Sequence, residues 1–100
     1  MSETANEGRV LYRRDDYVLS IIIDRPAKRN GFTPKMLRDL AEAYTELERD
    51  PHARVAVVRA EGEHFTAGLD LPSVAPLMAR GEDLIPAGLI DPFNNRAPLR

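Results

Sequence analysis

The residues best suited to chemistry lie in two polar loops, each of which follows an apolar, strand-like segment. The first loop is residues 24–32, DRPAKRNGF, and the second is residues 61–71, EGEHFTAGLDL. Loops at the carboxyl ends of adjacent parallel strands are where open α/β sheets bind ligands. Gly31 and Gly68 permit unusual backbone angles and close approach of a ligand, although each could equally serve only a turn. The loops therefore predict a binding site whose chemistry the residue types alone leave open.

Other chemical sites find little support. His52 and His64 stand in polar segments without a carboxylate-bearing metal motif, so we expect surface histidines rather than zinc ligands or triad members. The first loop has one glycine where a dinucleotide fingerprint needs three, and no G-x-x-x-x-G-K-[ST] motif occurs. The acidic side chains opposite the apolar stripe of the predicted helix are expected to form a solvated face. They are Glu42, Glu46 and Glu48.

The composition is that of an ordinary soluble domain. The chain has 100 residues, 43% hydrophobic and 30% charged, with a formal net charge of -2, which offers no basic footprint for nucleic acid. It has no cysteine, so disulfides and thiolate nucleophiles are excluded. The absence of cysteine does not distinguish reducing from oxidising cellular compartments, and the cytoplasm is taken as the default. Residues 1–9 are a polar leader without signal-peptide character, and no apolar run is long enough to span a membrane.

Periodicity predicts the elements that position the two loops. Residues 10–12 and 17–23 are rich in β-branched and aromatic side chains and predict two antiparallel strands, joined by a turn at the charged cluster RRDD. The second strand is apolar on both faces and is expected to be covered on both. An amphipathic helix is predicted from Pro34, with Thr33 as N-cap, to about Arg49. Residues 55–60, VAVVRA, predict a buried strand that completes a strand–helix–strand unit.

The last third of the chain carries weaker signals. A short helix is possible after Pro72, with Val74, Leu77 and Met78 as its apolar side. Residues 80–100 contain three prolines, two glycines and an Asn-Asn pair, which predict an irregular, mobile segment instead of a packed element. The expected organisation is thus a leader at 1–9, a folded part at 10–79 and a mobile segment at 80–100.

Two motifs in order give the chain a family resemblance. Residues 17–71 contain an apolar strand, Arg-Pro, a basic residue, Asn, a small residue, a helix and a second strand, and then Gly-x-x-Phe-Thr-Ala-Gly-x-Asp-Leu. This arrangement resembles the first conserved block of the enoyl-CoA hydratase/isomerase (crotonase) superfamily. The resemblance implies an α/β fold of the crotonase ββα-spiral type, of which this chain would be the N-terminal part.

The resemblance also implies roles for individual residues. The backbone N–H of Gly31 would be one of two donors to the thioester carbonyl oxygen, where negative charge grows as the thioester becomes enolate-like. Lys28 and Arg29 would lie near the CoA phosphates. The segment expected to line the CoA and pantetheine pocket with its backbone is Ala67, Gly68, Leu69, Asp70 and Leu71, with Asp70 mainly bracing the loop by accepting hydrogen bonds from nearby amides. No metal or cofactor is implied beyond the CoA thioester, which is the substrate.

The remaining expectations concern the whole protein. By the resemblance, the second oxyanion donor and the acid–base carboxylates fall beyond Arg100, and the rest of the same polypeptide or a second chain would complete the fold, with a homotrimer or dimer of trimers as the assembly. The implied function is an acyl-CoA-binding enzyme that hydrates or isomerises enoyl-CoA, and Leu69 slightly favours the isomerase branches. The alternatives are a non-catalytic acyl-CoA-binding or scaffold member of the same fold, and a free-standing module of 100 residues.

Overall fold

A three-stranded sheet with one long helix on it forms the body of the molecule. The computed structural model describes residues 7–92. The elements in chain order are β1 (Arg9–Asp15), β2 (Val18–Asp24), a 3₁₀ turn (Pro26–Lys28), α1 (Pro34–Arg49), β3 (Val55–Ala60) and α2 (Leu71–Ala79). The strand order is β1-β2-β3, in which β1 runs antiparallel and β3 parallel to β2. The predicted hairpin and strand–helix–strand unit are therefore confirmed.

The hairpin turn is shorter than the charged cluster suggested. Arg13 and Asp15 belong to β1, where they pair with Ser20 and Val18 of β2. The turn consists of Asp16 and Tyr17, and Asp16 has a φ of 59°. Aspartate tolerates this left-handed conformation better than most residues do, which lets strand pairing continue to the end of the hairpin.

Helix α1 begins and ends where the sequence predicts. The Thr33 hydroxyl accepts a hydrogen bond from the Met36 N–H at 3.2 Å, and Pro34 occupies the first turn. The helix ends at Arg49, directly before Asp50 and Pro51. Of the acidic residues expected to face solvent, Glu42 and Glu48 are exposed, whereas Glu46 is partly buried.

The hydrophobic core lies between α1 and one face of the sheet. In β2 the side chains of Leu19, Ile21 and Ile23 are almost fully buried, at 1%, 0% and 2% exposure. They alternate along the strand, so all three point to the same face. The core cluster comprises Val10, Leu19, Ile21, Ile23, Phe32, Met36, Leu37, Leu40, Ala41, Ala43, Val74 and Ile85. Burial of this cluster anchors residues 36–43 of α1 and, through Phe32, the first loop.

The opposite face of the sheet is only partly covered by residues 7–92. Val18, Ser20 and Ile22 are partly buried there, and Val55 and Val57 of β3 are 51% and 49% exposed. The prediction that β3 is buried is therefore wrong for the described part of the chain. β3 is the last strand of this sheet, so no further strand of residues 7–92 pairs with its outer edge. An apolar sequence does not by itself provide the element that would cover it.

Helix α2 and the segment after it pack loosely. Val74 is fully buried, Leu77 is partly buried and Met78 is 55% exposed, so the predicted apolar side is buried at one of its three positions. Residues 80–92 form turns and bends, yet Ile85 is buried in the core, so the segment is packed at that point. Residues 93–100 of the predicted mobile segment, and 1–6 of the leader, lie outside the described residues. Among residues 7–92, no helix has the length and apolar character needed to cross a bilayer.

Candidate functional site

The two loops emerge side by side because the strands that precede them run parallel. The Glu61 N–H, at the start of the second loop, donates to the Ile23 carbonyl of β2 at 2.9 Å. Further along, Phe32 and Leu69 form an isolated parallel bridge between the loops. The prediction that the loops meet at one edge of the sheet is confirmed, and the bridge brings their far ends together as well.

A buried asparagine holds the loops together. Asn30 is fully buried, and its Oδ1 accepts a hydrogen bond from the Arg25 N–H at 2.7 Å. Its Nδ2 donates to the carbonyls of Glu61 at 2.8 Å and His64 at 2.6 Å, both in the second loop. The carboxamide therefore satisfies three backbone groups at once, and it ties the first loop to the second.

Arg25 makes a second connection between the loops. Its side chain is 8% exposed, and its guanidinium donates to the Gly31 carbonyl at 3.0 Å and pairs with the Asp70 carboxylate at 3.2 Å. The other carboxylate oxygen of Asp70 accepts a hydrogen bond from the Ser73 hydroxyl at 2.6 Å. The Asp70 carboxylate therefore connects the start of α2 to the first loop, with the Ser73 hydroxyl and the Arg25 guanidinium as side-chain partners and a backbone hydrogen bond from Ser73 as well.

These partners also set the ionisation of Asp70. The Ser73 hydroxyl, and after it the Arg25 guanidinium, lower the pKa of Asp70 below its ordinary value, while partial burial opposes them. A carboxylate with a lowered pKa and two fixed partners is a poor proton acceptor at neutral pH. The hydrogen bond from Ser73 and the ion pair with Arg25 support a structural role for the Asp70 carboxylate.

The predicted oxyanion donor is engaged elsewhere. The Gly31 N–H donates to the Lys28 carbonyl at 3.0 Å, which closes the turn that follows the 3₁₀ segment. An amide with an intramolecular acceptor is not free for a ligand oxygen. In residues 7–92 the Gly31 N–H therefore holds a turn, which weighs against the donor role that the family resemblance implied for it.

The free donor lies across the bridge, at Leu69. The Phe32 N–H donates to the Gly68 carbonyl, and the Asp70 N–H donates to the Phe32 carbonyl, both at 2.7 Å. In a trans peptide the N–H points opposite to the preceding C=O, so the Leu69 N–H is directed away from Phe32. Within residues 7–92 it has no hydrogen-bond partner. Phe32 thus fixes the plane of a peptide whose donor remains available.

The other predicted site residues lie on the same two loops as this donor. Lys28 and Arg29 are exposed on the first loop, and Arg29 takes a left-handed φ of 53°. The Ala67 N–H donates to the Arg29 carbonyl at 2.9 Å, so its amide is used to join the loops. The side chains of Leu69 and Leu71 are 41% and 61% exposed. The backbone of the AGLDL segment is thus rigidly held while its apolar side chains face outward.

The residues that hold the site do not stand out in the sequence. Arg25, Asn30 and Thr66 are parts of the family motifs, and nothing local marks them as hydrogen-bonding centres. Buried polar side chains are normally hydrogen-bonded, so the roles of Arg25 and Asn30, which are buried, and of Thr66, which is partly buried, become visible only once burial is known. His52, with a side chain 68% exposed, and His64 are surface residues, as predicted. In residues 7–92 no three His, Asp or Glu side chains form a metal-ligating group.

Comparison with known proteins identifies the family. The sequence matches the family model for enoyl-CoA hydratase/isomerase over residues 13–91. This match covers most of the chain, and the protein therefore belongs to the enoyl-CoA hydratase/isomerase family. The probable enoyl-CoA hydratase/isomerase of Mycobacterium abscessus, a solved structure, is 48% identical with a TM-score of 0.82, covering 89% of this chain and 34% of that one. The predicted crotonase-type α/β fold is confirmed.

Curated relatives include both hydratases and isomerases. Hydroxycinnamoyl-CoA hydratase-lyase of Pseudomonas fluorescens is 40% identical over 68 residues, which are 65% of this chain and 25% of the relative. The mitochondrial Delta(3,5)-Delta(2,4)-dienoyl-CoA isomerase of Homo sapiens is 34% identical over 70 residues, 68% of this chain and 21% of the relative. The chain therefore spans about a quarter or less of the length of these two relatives.

Proposed function

We propose that the protein binds acyl-CoA thioesters at the two loops and stabilises the thioester enolate during hydration or double-bond isomerisation of an enoyl-CoA. The observation that carries this proposal is the Leu69 N–H, which has no partner within residues 7–92 and whose peptide plane is fixed by Phe32. Family membership supports the substrate class, since the relatives named above are enzymes of CoA esters.

The free amide suits the chemistry of a thioester. As a proton leaves or a nucleophile adds, negative charge grows on the carbonyl oxygen, and a donor already aimed at that oxygen stabilises the charged state more than the ground state. Leu69 lies just before the N-terminus of α2, where the helix dipole also favours negative charge. Both effects favour the enolate over the neutral thioester.

The first loop would hold the CoA end of the substrate. Lys28 and Arg29 are exposed cations on that loop, and their charge suits the CoA phosphates. Such contacts position the ligand without taking part in the reaction. Asp70 is already committed to Ser73 and Arg25, so proton transfer in this proposal belongs to a different carboxylate.

Thioester binding is the first test. We expect acetoacetyl-CoA to bind the natural-length protein in isothermal titration calorimetry with EDTA present, because its delocalised enolate resembles the charge that the donor is placed to meet. Absence of binding by any CoA thioester would remove the proposal. Binding without turnover of short enoyl-CoA substrates would instead favour the non-catalytic acyl-CoA-binding alternative.

A single-atom change tests the donor. Incorporating leucic acid at position 69 replaces the amide N–H by an ester oxygen, and loss of one oxyanion donor typically lowers kcat by about a hundredfold or more. The matched control is glycolic acid at position 31, which removes the N–H that closes the turn to Lys28. We expect this control to stay within about fivefold of the natural protein. The reverse result, a large loss at position 31 and a small one at position 69, would return the donor role to Gly31.

A further inference from the structure

The Thr66 hydroxyl lies at a junction between the two loops. Its Oγ1 donates to the Asn30 carbonyl at 2.6 Å and accepts from the Gly68 N–H at 3.0 Å. Thr66 is partly buried and Gly68 directly precedes Leu69. The Thr66 hydroxyl thus links the fully buried Asn30 of the first loop to the Ala67–Gly68 peptide, which directly precedes the peptide that carries the Leu69 N–H.

Both sides of the Gly68 residue are therefore restrained, one by Thr66 in the second loop and the other by Phe32 in the first loop. Its N–H is held by Thr66, and its carbonyl accepts from the Phe32 N–H at 2.7 Å. Gly68 has a φ of 92°, and the space around its α-carbon is open, with nothing within 4 Å of an added Cβ. Packing therefore does little to set the Gly68 torsions, and the two hydrogen bonds take that role.

We propose that Thr66 is a positioning residue for catalysis: its hydroxyl holds the Ala67–Gly68 peptide and so restricts the Gly68 torsions that aim the Leu69 N–H at the thioester oxygen. This inference rests on the proposed function. Thr66 itself touches no reacting atom. Without the hydroxyl, the Gly68 N–H loses its acceptor, and the Phe32 hydrogen bonds alone orient the Gly68–Leu69 peptide. The flexible Gly68 torsions then let the Leu69 N–H move away from its position opposite the oxygen.

A matched set of variants tests the role. Thr66→Val removes the hydroxyl and keeps the shape of the side chain, whereas Thr66→Ser keeps the hydroxyl. Thr45→Val is the control for ordinary loss of a threonine hydroxyl. Thr45 is buried, and its hydroxyl donates to the Ala41 carbonyl at 2.7 Å and accepts from the Ile90 N–H at 2.9 Å. The control therefore loses the same two kinds of hydrogen bond, one within α1 and one between α1 and residue 90.

The experiment measures kcat, KM, the melting temperature and the carbonyl stretch of a bound, ¹³C-labelled enoyl-CoA thioester in the natural-length protein. For Thr66→Val we expect kcat to fall roughly tenfold, which is less than the loss expected for the ester at position 69. KM should stay within about threefold of the unsubstituted protein, and the carbonyl stretch of the bound thioester should shift toward its value in solution. Thr66→Ser should restore both. Thr45→Val should lower the melting temperature while leaving the carbonyl stretch and kcat unchanged.

Failure of the positioning role of Thr66 can be distinguished from failure of the proposed function. If Thr66→Val changed only the melting temperature, as Thr45→Val does, the positioning role would be overturned, while a large loss at the position-69 ester would leave the proposed function standing. If the natural protein neither bound nor turned over thioesters, the proposed function itself would fail. Thr66→Ala, which adds no methyl group, replaces the valine variant if that variant does not fold. Failure of both to fold would identify the hydroxyl as a folding determinant and would also overturn the inference.

Discussion

Removing the Asn30 carboxamide is the strongest test of how the loops are held. Asn30→Ala deletes three hydrogen bonds, at 2.7, 2.8 and 2.6 Å. The Arg25 N–H stays buried without its acceptor, and an unsatisfied buried donor costs roughly 1–3 kcal/mol. The Glu61 and His64 carbonyls belong to exposed residues and can bond to water, so each costs only about 0.5–1.5 kcal/mol. We expect a total loss of about 3–4 kcal/mol in the free energy of unfolding.

The assay is equilibrium urea unfolding of the natural-length protein, followed by circular dichroism at one fixed protein concentration. Asn30→Asp is the informative companion, because it keeps an acceptor for the Arg25 N–H but places carboxylate oxygen against the Glu61 and His64 carbonyls. It should be at least as destabilising as the alanine variant at neutral pH, since like partial charges then face each other. A loss below about 1 kcal/mol for Asn30→Ala would refute the argument that this buried amide holds the loops together.

Four further predictions concern single features. Gly31→Ala should change stability by less than about 0.5 kcal/mol, because the added Cβ meets nothing closer than 3.4 Å and the turn N–H is kept. Gly68→Ala should cost about 1–2 kcal/mol, because its φ is 92°, and should also reduce turnover by displacing the Leu69 amide; urea unfolding and steady-state kinetics measure the two effects. The partners of Asp70 lower its pKa in the folded state. The ionised carboxylate therefore stabilises the fold above about pH 4, and this stabilisation is lost as the pH falls through the lowered pKa. In melting temperatures measured from pH 2 to 7, Asp70→Asn should reduce the fall at acidic pH, and an unchanged fall would contradict the stabilising role of Asp70. Residues 1–100 expressed alone should lack enoyl-CoA turnover and unfold without a sharp transition, because Val55 and Val57 of β3 are about half exposed; cooperative unfolding with measurable turnover would disprove this.

Much of the fold follows from local sequence. Thr33 and Pro34 start α1 because a hydroxyl cap and a proline suit the first helical turn, and the spacing of Leu37, Leu40 and Ala41 selects the buried face. The parallel unit then follows from strand–helix–strand order, which brings the two loops to one edge of the sheet. These features depend on neighbours within a few turns of chain, which is why the sequence predicts them.

Burial of β3 could not be predicted in the same way. Its residues VAVVRA have the apolar character of an interior strand, yet Val55 and Val57 are about half exposed. Side-chain burial depends on which element packs against a face, and the strand's own composition does not contain that information. The partly exposed Met78 of α2 illustrates the same limit.

For the candidate site, too, local features could be predicted from the sequence, whereas features that depend on distant contacts could not. The sequence alone determined the family block and the two loops, and hence the region in which we propose that a thioester binds. Only the tertiary structure decided which amide is available: the Gly31 N–H closes a turn, whereas the Leu69 N–H is left without a partner in residues 7–92 by a bridge to Phe32. It also buried Asn30 between segments more than 30 positions apart in sequence. The physical reason is that a backbone N–H is the same group at every residue except proline, so its role depends on which acceptor the folded chain places in front of it.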